Sequence, residues 1–340
     1  MTLFSPDPPP PFEEEFSLTR ALASWVSVLF IVFTLVPVLG VSALFISGPL
    51  TEPKTIVIAR GTSVAEIGKQ LEHENAVHMA FVFRIAARLV GPLKAGEYAL
   101  PAESSAFEIA SIMNRGLSVP RMFTAAEGLT SSEIVALLNN DPVLTGAILD
   151  VPAEGTLLPE TYRYSYGDSR AGILARMQTA MREKINELWA KREDGLPLYS
   201  PNDAVVLASI VEKETAKASE RSRIAGVFFN RLRKNMRLQS DPTVIYALTN
   251  GQRELDRALT HNDLAFVSPM NTYTSDGLPP KPICNPGHDA LEAVMRPEHH
   301  DFLYFVADGR GGHAFAPDLV THNRNVALWR RTTENAAIKP

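Results

Sequence analysis

The chain has 340 residues, enough for one large or two moderate domains, with 33 Lys and Arg against 38 Asp and Glu. The net charge of −5 argues against a nucleic-acid polyanion as partner. The single cysteine, Cys284, excludes an intrachain disulfide and any multi-cysteine metal site, and leaves the redox compartment open.

Residues 1 to about 18 contain Pro6, Pro8–Pro11 and Glu13–Glu15, which reads as a polar, proline-rich tail expected to be disordered. From Ala21 to Thr51 no residue is charged, and the apolar run is long enough to cross a bilayer core of roughly 30 Å as a helix. A cleaved signal peptide is the rival, with small residues at Val41-Ser42-Ala43. The run is longer than a signal core and its upstream flank is acidic, so an uncleaved anchor over 21–48 is favoured. The positive charges near its ends, Arg20 against Lys54 and Arg60, do not favour a cytoplasmic N-terminus and lean slightly the other way.

Three similar stretches follow: Ile56–Ser63 with Val64–Leu71, Gly96–Leu100 with Ser104–Met113, and Phe123–Thr130 with Ser131–Leu138. Each reads as a short strand, a polar turn and an amphipathic helix, with Ile67/Leu71 and Ile134/Leu137/Leu138 at helical spacing. Ser63 and Ser131 are candidate helix caps, Ser63 with Glu66 as capping-box partner. Such modules resemble LysM-type glycan-binding units, expected over 52–145, and Tyr98 and Phe123 are the aromatics suited to stacking on sugars. A structural spacer is the alternative. Beyond them, Gly155 and Pro159 give Glu154–Tyr164 a fixed geometry. Asp168–Lys191 reads as a charged amphipathic helix buried at Ile173, Met177, Met181 and Ile185, followed by a linker at Arg192–Tyr199.

The run from Ser200 to about Ala218 reads as one helix, opened by a hydroxyl cap and a proline at the first turn. Leu207, Ile210, Val211 and Glu214 share one face, so Glu214 ends an apolar stripe. Glu212 lies about 200° round the helix. A carboxyl on an apolar face loses hydration, its pKa rises, and it becomes suited to general acid work. Otherwise Glu214 reaches water at the edge of the face, or pairs with Arg221 or Arg223. Glu220–Met236 is expected as a second helix buried at Ile224, Val227, Phe228 and Leu232. Its basic residues read as a solvated face, or as contacts for carboxylates through Asn230 and Arg231. Asp241-Pro242 reads as the cap of a helix over Thr243–Leu248, and Gln239, with no such structural duty, as a free donor and acceptor. Asn271 and Tyr273 lie in a proline- and glycine-rich loop suited to recognising amides and hydroxyls. Tyr304–Val306 reads as a buried strand, Asp308–His313 as a turn and Ala314-Phe315 as a returning strand, with His313 a candidate site residue. His288, His299, His300 and His322 have no metal-ligand spacing and no HExxH is present.

The words LASIVEKETAKASERSRIAGVFFNRLRKNMRLQSDPTVIYAL (207–248), SPMNTYTSDGLPPKPICNPG (268–287) and YFVADGRGGHAFAPDLVTHN (304–323) together closely resemble the endolytic murein transglycosylases of the MltG (YceG-like) family. Glu154–Tyr164 matches that family's EGxLxPxTY signature, and the resemblance runs over nearly the whole chain from the apolar segment onward. It implies Glu214 as the catalytic acid/base, with Glu212, Asn230, Arg231, Gln239, Asp241, Asn271, Tyr273 and His313 around the substrate. A lytic transglycosylase needs one acid, because the C6 hydroxyl of N-acetylmuramic acid attacks its own anomeric carbon, whereas most glycosidases need two carboxylates. The resemblance further implies an α+β fold: a cytoplasmic tail over 1–20, one transmembrane helix, a small LysM-like α/β region, and a larger mixed α+β catalytic domain over 146–332 facing the periplasm. The expected partners are peptidoglycan glycan strands, the inner membrane and glycan-polymerising synthases, with no nucleic acid and no cofactor. Two alternatives stay open: a hydrolytic muramidase using Glu214 with Asp241, and a non-catalytic peptidoglycan-binding scaffold.

Overall fold

The computed structural model describes residues 13–337, and the chain divides into two compact units between Val119 and Pro120. The expected tail lies in large part outside the described residues; helix α1 already begins at Glu13 and runs to Phe45. Within it Arg20–Phe45, with mean hydropathy 2.6, is the one segment among the described residues long and apolar enough to cross a membrane. Its 26 residues reach about 39 Å at the helical rise of 1.5 Å per residue.

The rest of the first unit is a two-stranded antiparallel sheet with helices packed on it. Strand β1 (Lys54–Ile58) leads to α2 (Val64–His73) and α3 (Ala80–Val90), and strand β2 (Gly96–Leu100) to α4 (Ala106–Arg115). Ile56 faces Tyr98 across the pair, and period-2 alternation buries Ile56 and Ile58 while Thr55 is exposed. Ser63 caps α2 in a capping box with Glu66, and Ile67 and Leu71 are buried, as their spacing implies. Leu44, at the end of α1, and Leu50 join the same core. The sequence reading did not anticipate α3, whose Phe83, Ala86 and Ala87 face the core.

The second unit starts with strand β3 (Arg121–Thr124), α5 (Ser131–Asn140) and strand β4 (Thr161–Tyr164), with β3 and β4 antiparallel. Residues 120–145, expected to close the LysM-like region, thus lie in this unit, because their strand pairs with β4. Thr130, not Ser131, caps α5 through a box with Glu133. Next come α6 (Arg170–Ala190), α7 (Pro201–Glu214), a single 3-10 turn at Ala218–Glu220, α8 (Arg221–Arg233), α9 (Asp241–Thr249) and the short α10 (His261–Leu264). Helix α11 (His288–Met295), the antiparallel hairpin β5 (Tyr304–Ala307) and β6 (His313–Ala316), and α12 (Leu319–Ala337) complete it. Ile173, Met177, Met181 and Ile185 of α6 are all buried, as their spacing implies. Strand β5 is half-buried rather than buried.

Helix α7 is the centre of this unit. Every residue from Ala204 to Val211 is buried, so it has no polar side, in contrast to the one-sided stripe read from the sequence. Leu207, Ile210 and Val211 join a core with Phe228 of α8, Tyr246 of α9, and Leu291 and Val294 of α11.

Candidate active site

The opening of α7 follows the sequence: Ser200 caps it, Pro201 takes the first turn, and Asp203 closes a capping box. Its end does not, since the helix stops at Glu214, four residues short of Ala218. Thr215 is extended at φ −146° and ψ 132°, and its Oγ1 accepts the Lys217 N–H at 3.0 Å. That side-chain bond gives the backbone an alternative to a further helical turn.

The last three residues of α7 are each held differently. Glu212 accepts from Arg221 Nη2 at 2.9 Å and from the Gly287 N–H at 2.8 Å. Burial raises its pKa, with those two bonds opposing. A Cβ on Gly287 would run into the Glu127 carboxyl, so glycine is what allows this approach. The Lys213 ammonium lies 3.4 Å from the Gly128 carbonyl. Glu214 is half-buried, and its Oε1 accepts a 2.5 Å hydrogen bond from Ser240 Oγ.

Desolvation pushes the Glu214 pKa up to about 7, and the charge of Asp241 adds to it; the Ser240 bond and the Arg231 charge act the other way. Its place as the final helical residue works in the same direction as burial, since the negative end of the helix disfavours a carboxylate. Near neutral pH this group holds its proton about half the time.

Ser240 is itself fixed. Gln239 adopts a left-handed φ of +51°, and its N–H donates to the Thr272 carbonyl at 3.1 Å. The Ser240 N–H donates to Thr272 Oγ1 at 3.0 Å, and Thr243 Oγ1 donates to the Ser240 carbonyl at 2.6 Å. Ser240 occupies the cap position of α9, yet its hydroxyl goes to Glu214 and makes no cap bond. The expected cap, Asp241, is instead the first helical residue; it is exposed, and its Oδ1 accepts from the Tyr273 hydroxyl at 2.6 Å. Burial and that bond hold the Tyr273 phenol well above its ordinary range.

Glu214, Gln239, Asp241 and Tyr273 therefore form one cluster around Ser240. Arg231 borders it: Nη1 reaches Gln239 Oε1 at 3.3 Å and the carbonyls of Arg237 and Leu238, while Nε donates to the Leu303 carbonyl. The guanidinium also lies over the Tyr304 ring at 5.1 Å. Asn230 donates to the carbonyls of His300 and Phe302, and fully buried Asn271 donates to those of Leu264 and Phe266. His313 Nδ1 pairs with Glu220 Oε2 at 2.7 Å, and Lys217 binds the same carboxylate at 3.0 Å. Glu212, Asn230, Asn271 and His313, expected around the substrate, each have partners inside the protein.

Arg221 also departs from its sequence reading as part of a solvated face. It is buried and lies between Glu212, Glu127 at 3.2 Å and Asp289 at 3.2 Å. Ser240 and Arg221 are the two site residues the sequence reading missed. A serine before Asp-Pro reads as a turn residue, and an arginine at a helix start reads as surface. Tyr98 and Phe123, the aromatics suited to stacking on sugars, are both buried, and the Tyr98 hydroxyl donates to the Lys94 carbonyl.

The YceG-like family model matches residues 56–328 of the chain. An endolytic murein transglycosylase of Bacillus subtilis (strain 168) is 37% identical over 173 residues, which cover 51% of this chain and 47% of that protein. An endolytic murein transglycosylase of Streptococcus pneumoniae serotype 2 (strain D39) is 28% identical over 321 residues, covering 80% of this chain and 58% of that protein. The chain spans about half the length of the curated relatives it matches. Among solved structures, a yceG-like protein of Listeria monocytogenes aligns over 80% of this chain and 99% of its own, with 31% identity and a TM-score of 0.48.

Proposed function

The chain belongs to the YceG-like family, and with that premise we propose that it is a membrane-anchored endolytic lytic transglycosylase of peptidoglycan, with Glu214 as general acid and base. The bond cut is the one from C1 of N-acetylmuramic acid to O4 of N-acetylglucosamine, within nascent strands near the inner membrane. The observation that carries this reading is a single carboxyl group, bound by one serine, whose pKa of about 7 suits it to give and take a proton near neutral pH.

With Oε1 accepting from Ser240, the acid's proton sits on Oε2, which has no hydrogen-bond partner among the described residues. Glu214 gives that proton to the departing O4 as the C1–O4 bond breaks. The resulting carboxylate takes the proton of the C6 hydroxyl, whose oxygen closes onto C1. The product ends in 1,6-anhydro-muramic acid and Glu214 regains its proton, so no water is consumed. Gln239, Asp241 and Tyr273, beside Glu214, are the proposed sugar contacts. Arg231, on Gln239 Oε1, and Asn271, whose Oδ1 accepts the Tyr273 N–H at 2.9 Å, position two of those groups, and Glu212, Asn230 and His313 are proposed to border the substrate. Helix α1 is the proposed anchor, with the second unit in the periplasm beside glycan-polymerising synthases. The first unit is proposed as a LysM-like module or a spacer; burial of Tyr98 and Phe123 removes stacking on those rings from the former.

One observation favours a second reading. Asp241 is close enough to Glu214 to raise its pKa, so a second carboxylate is at hand to activate water, as a hydrolytic muramidase requires. Mass spectrometry of products from purified glycan strands separates the two. Anhydro ends from the wild type and none from Glu214→Gln are expected; reducing ends would establish the hydrolase. Binding without cleavage by either protein would favour a scaffold, and cleavage that survives in Glu214→Gln would remove Glu214 from its role.

A further inference from the structure

Beside the Glu214 cluster, lined in part by Pro242, Ile245, Tyr246 and Thr249 of α9, lies a cavity of about 300 Å³. It touches the catalytic cluster at two points in the chain: Lys213 immediately precedes Glu214, and Pro242 immediately follows Asp241. One wall is apolar, formed by Ile245, Leu255 and Ile283. The remainder carries both signs of charge: Lys213 and Arg253 against Glu133 and Glu254. Glu133 is engaged with Thr130 in the cap of α5, whereas Arg253 and Glu254 make no hydrogen bond or ion pair among the described residues and are exposed at the rim. The cavity stays open at Gly251, where φ is +69° and a Cβ would come within 2.7 Å of the Tyr246 ring.

A neutral N-acetyl sugar needs hydrogen-bonding side chains and an exposed aromatic face. Here Tyr246 is buried, and the Lys281 ammonium lies 5.2 Å from its ring centre. Free charges of both signs beside an apolar wall suit a ligand that has carboxylates, an amine and methyl groups together. Peptidoglycan carries such a group on the sugar that Glu214 must engage: a short peptide, amide-linked to the lactyl group of muramic acid, with alanine methyls, free carboxylates and one side-chain amine. We infer that this cavity is a subsite for the stem peptide, with Lys213 and Arg253 facing its carboxylates and Glu254 its amine, and that it makes the protein select peptide-bearing glycan. This rests on the peptidoglycan reading above and goes beyond it by naming what the site recognises besides sugar.

The test compares kcat/KM on glycan strands that keep their peptides with that on strands stripped by an amidase. The wild type is expected to prefer peptide-bearing strands. The double variant Lys213→Ala/Arg253→Ala, both exposed positions, is expected to lower that preference about fivefold, the combined effect of two exposed charge pairs. The ratio cancels any general effect of altering the neighbour of Glu214. A wild type indifferent to peptides, or a ratio unchanged in the variant, overturns the subsite. Equal loss on both substrates leaves the ratio unchanged and overturns it too. A synthetic stem tetrapeptide titrated against the full protein gives an independent readout: NMR shifts at Ile245 and Leu255 are expected, weaker in the double variant. Failure of the wild type to cut either substrate sinks the transglycosylase reading, and the titration then decides the cavity alone.

Discussion

A carboxyl group whose pKa is about 7 in the folded protein, against an ordinary value of 4.5, binds its proton more tightly folded than unfolded. Below pH 4.5 both states are protonated and the group is neutral in its effect. As pH rises through 4.5 to 7 the unfolded chain loses the proton first, so Glu214 lowers stability progressively and fully above 7. Glu214→Gln removes that penalty. Its melting temperature is expected to match the wild type at pH 4 and exceed it at pH 8, by thermal unfolding across pH; an excess that is the same at both ends would contradict the assigned pKa. Activity has the same sign, falling as pH rises through about 7 where the acid loses its proton. Ser240 donates to the ionised form, so Ser240→Ala raises the Glu214 pKa further. The alkaline limb of the kcat/KM profile is expected to move to higher pH, while the maximum rate drops about tenfold for the loss of one orienting bond of about 1.4 kcal/mol. Glu214 was legible in the sequence because helical spacing and a long motif both singled it out. Ser240 was not, because its partner lies 26 residues away and its local pattern fits a cap equally well.

The end of α7 and the turn into α9 are where two elements place the acid, and both depend on groups the chain supplies from afar. Arg221 neutralises Glu212 inside the protein, so removing the guanidinium leaves a buried carboxylate without its main partner. Arg221→Met is expected to cost about 3–5 kcal/mol in denaturant unfolding, the range for breaking a buried pair. A loss under 1 kcal/mol would mean that Glu212 ionisation is not held by this pair. Gln239 separates strain from function. Its left-handed backbone disfavours any side chain, so Gln239→Gly is expected to keep the melting temperature while raising KM several-fold, if the amide touches N-acetyl groups as proposed. A KM that stays unchanged removes Gln239 from the substrate. Regular elements with clear periodicity, α6 and the opening of α7, were readable from residues alone. Helix α3 escaped that reading, and β4 was read only as a connection. Residues 120–145 were read with the LysM-like region but lie in the second unit, because strand pairing between β3 and β4 is a long-range contact that local pattern does not encode.

For the molecule as a whole, the proposed anchor must place Glu214 on the side of the membrane that holds glycan. The flanking charges, Arg20 on one side and Lys54 and Arg60 on the other, do not favour the orientation that a peptidoglycan substrate demands. The single native cysteine makes a direct test possible. Cys284 is buried, its Sγ lies 3.3 Å from the Ser209 carbonyl, and burial pushes its pKa well above the ordinary thiol value. A thiol that neither ionises nor meets solvent does not react with a maleimide. Tyr199 is 96% exposed and stands just ahead of α7, so Tyr199→Cys adds one reactive thiol to the second unit without disturbing its core. In spheroplasts treated with a membrane-impermeant maleimide, this variant is expected to label without lysis, while Ser5→Cys labels only after lysis. Both patterns together require α1 to cross the bilayer and carry the second unit outward, against the charge count. The reverse pattern would place Glu214 on the side without glycan, and no geometry around Ser240 would then rescue the proposed reaction. Labelling of both variants without lysis would mean that α1 does not span, and the restriction to glycan near the bilayer would lose its physical basis.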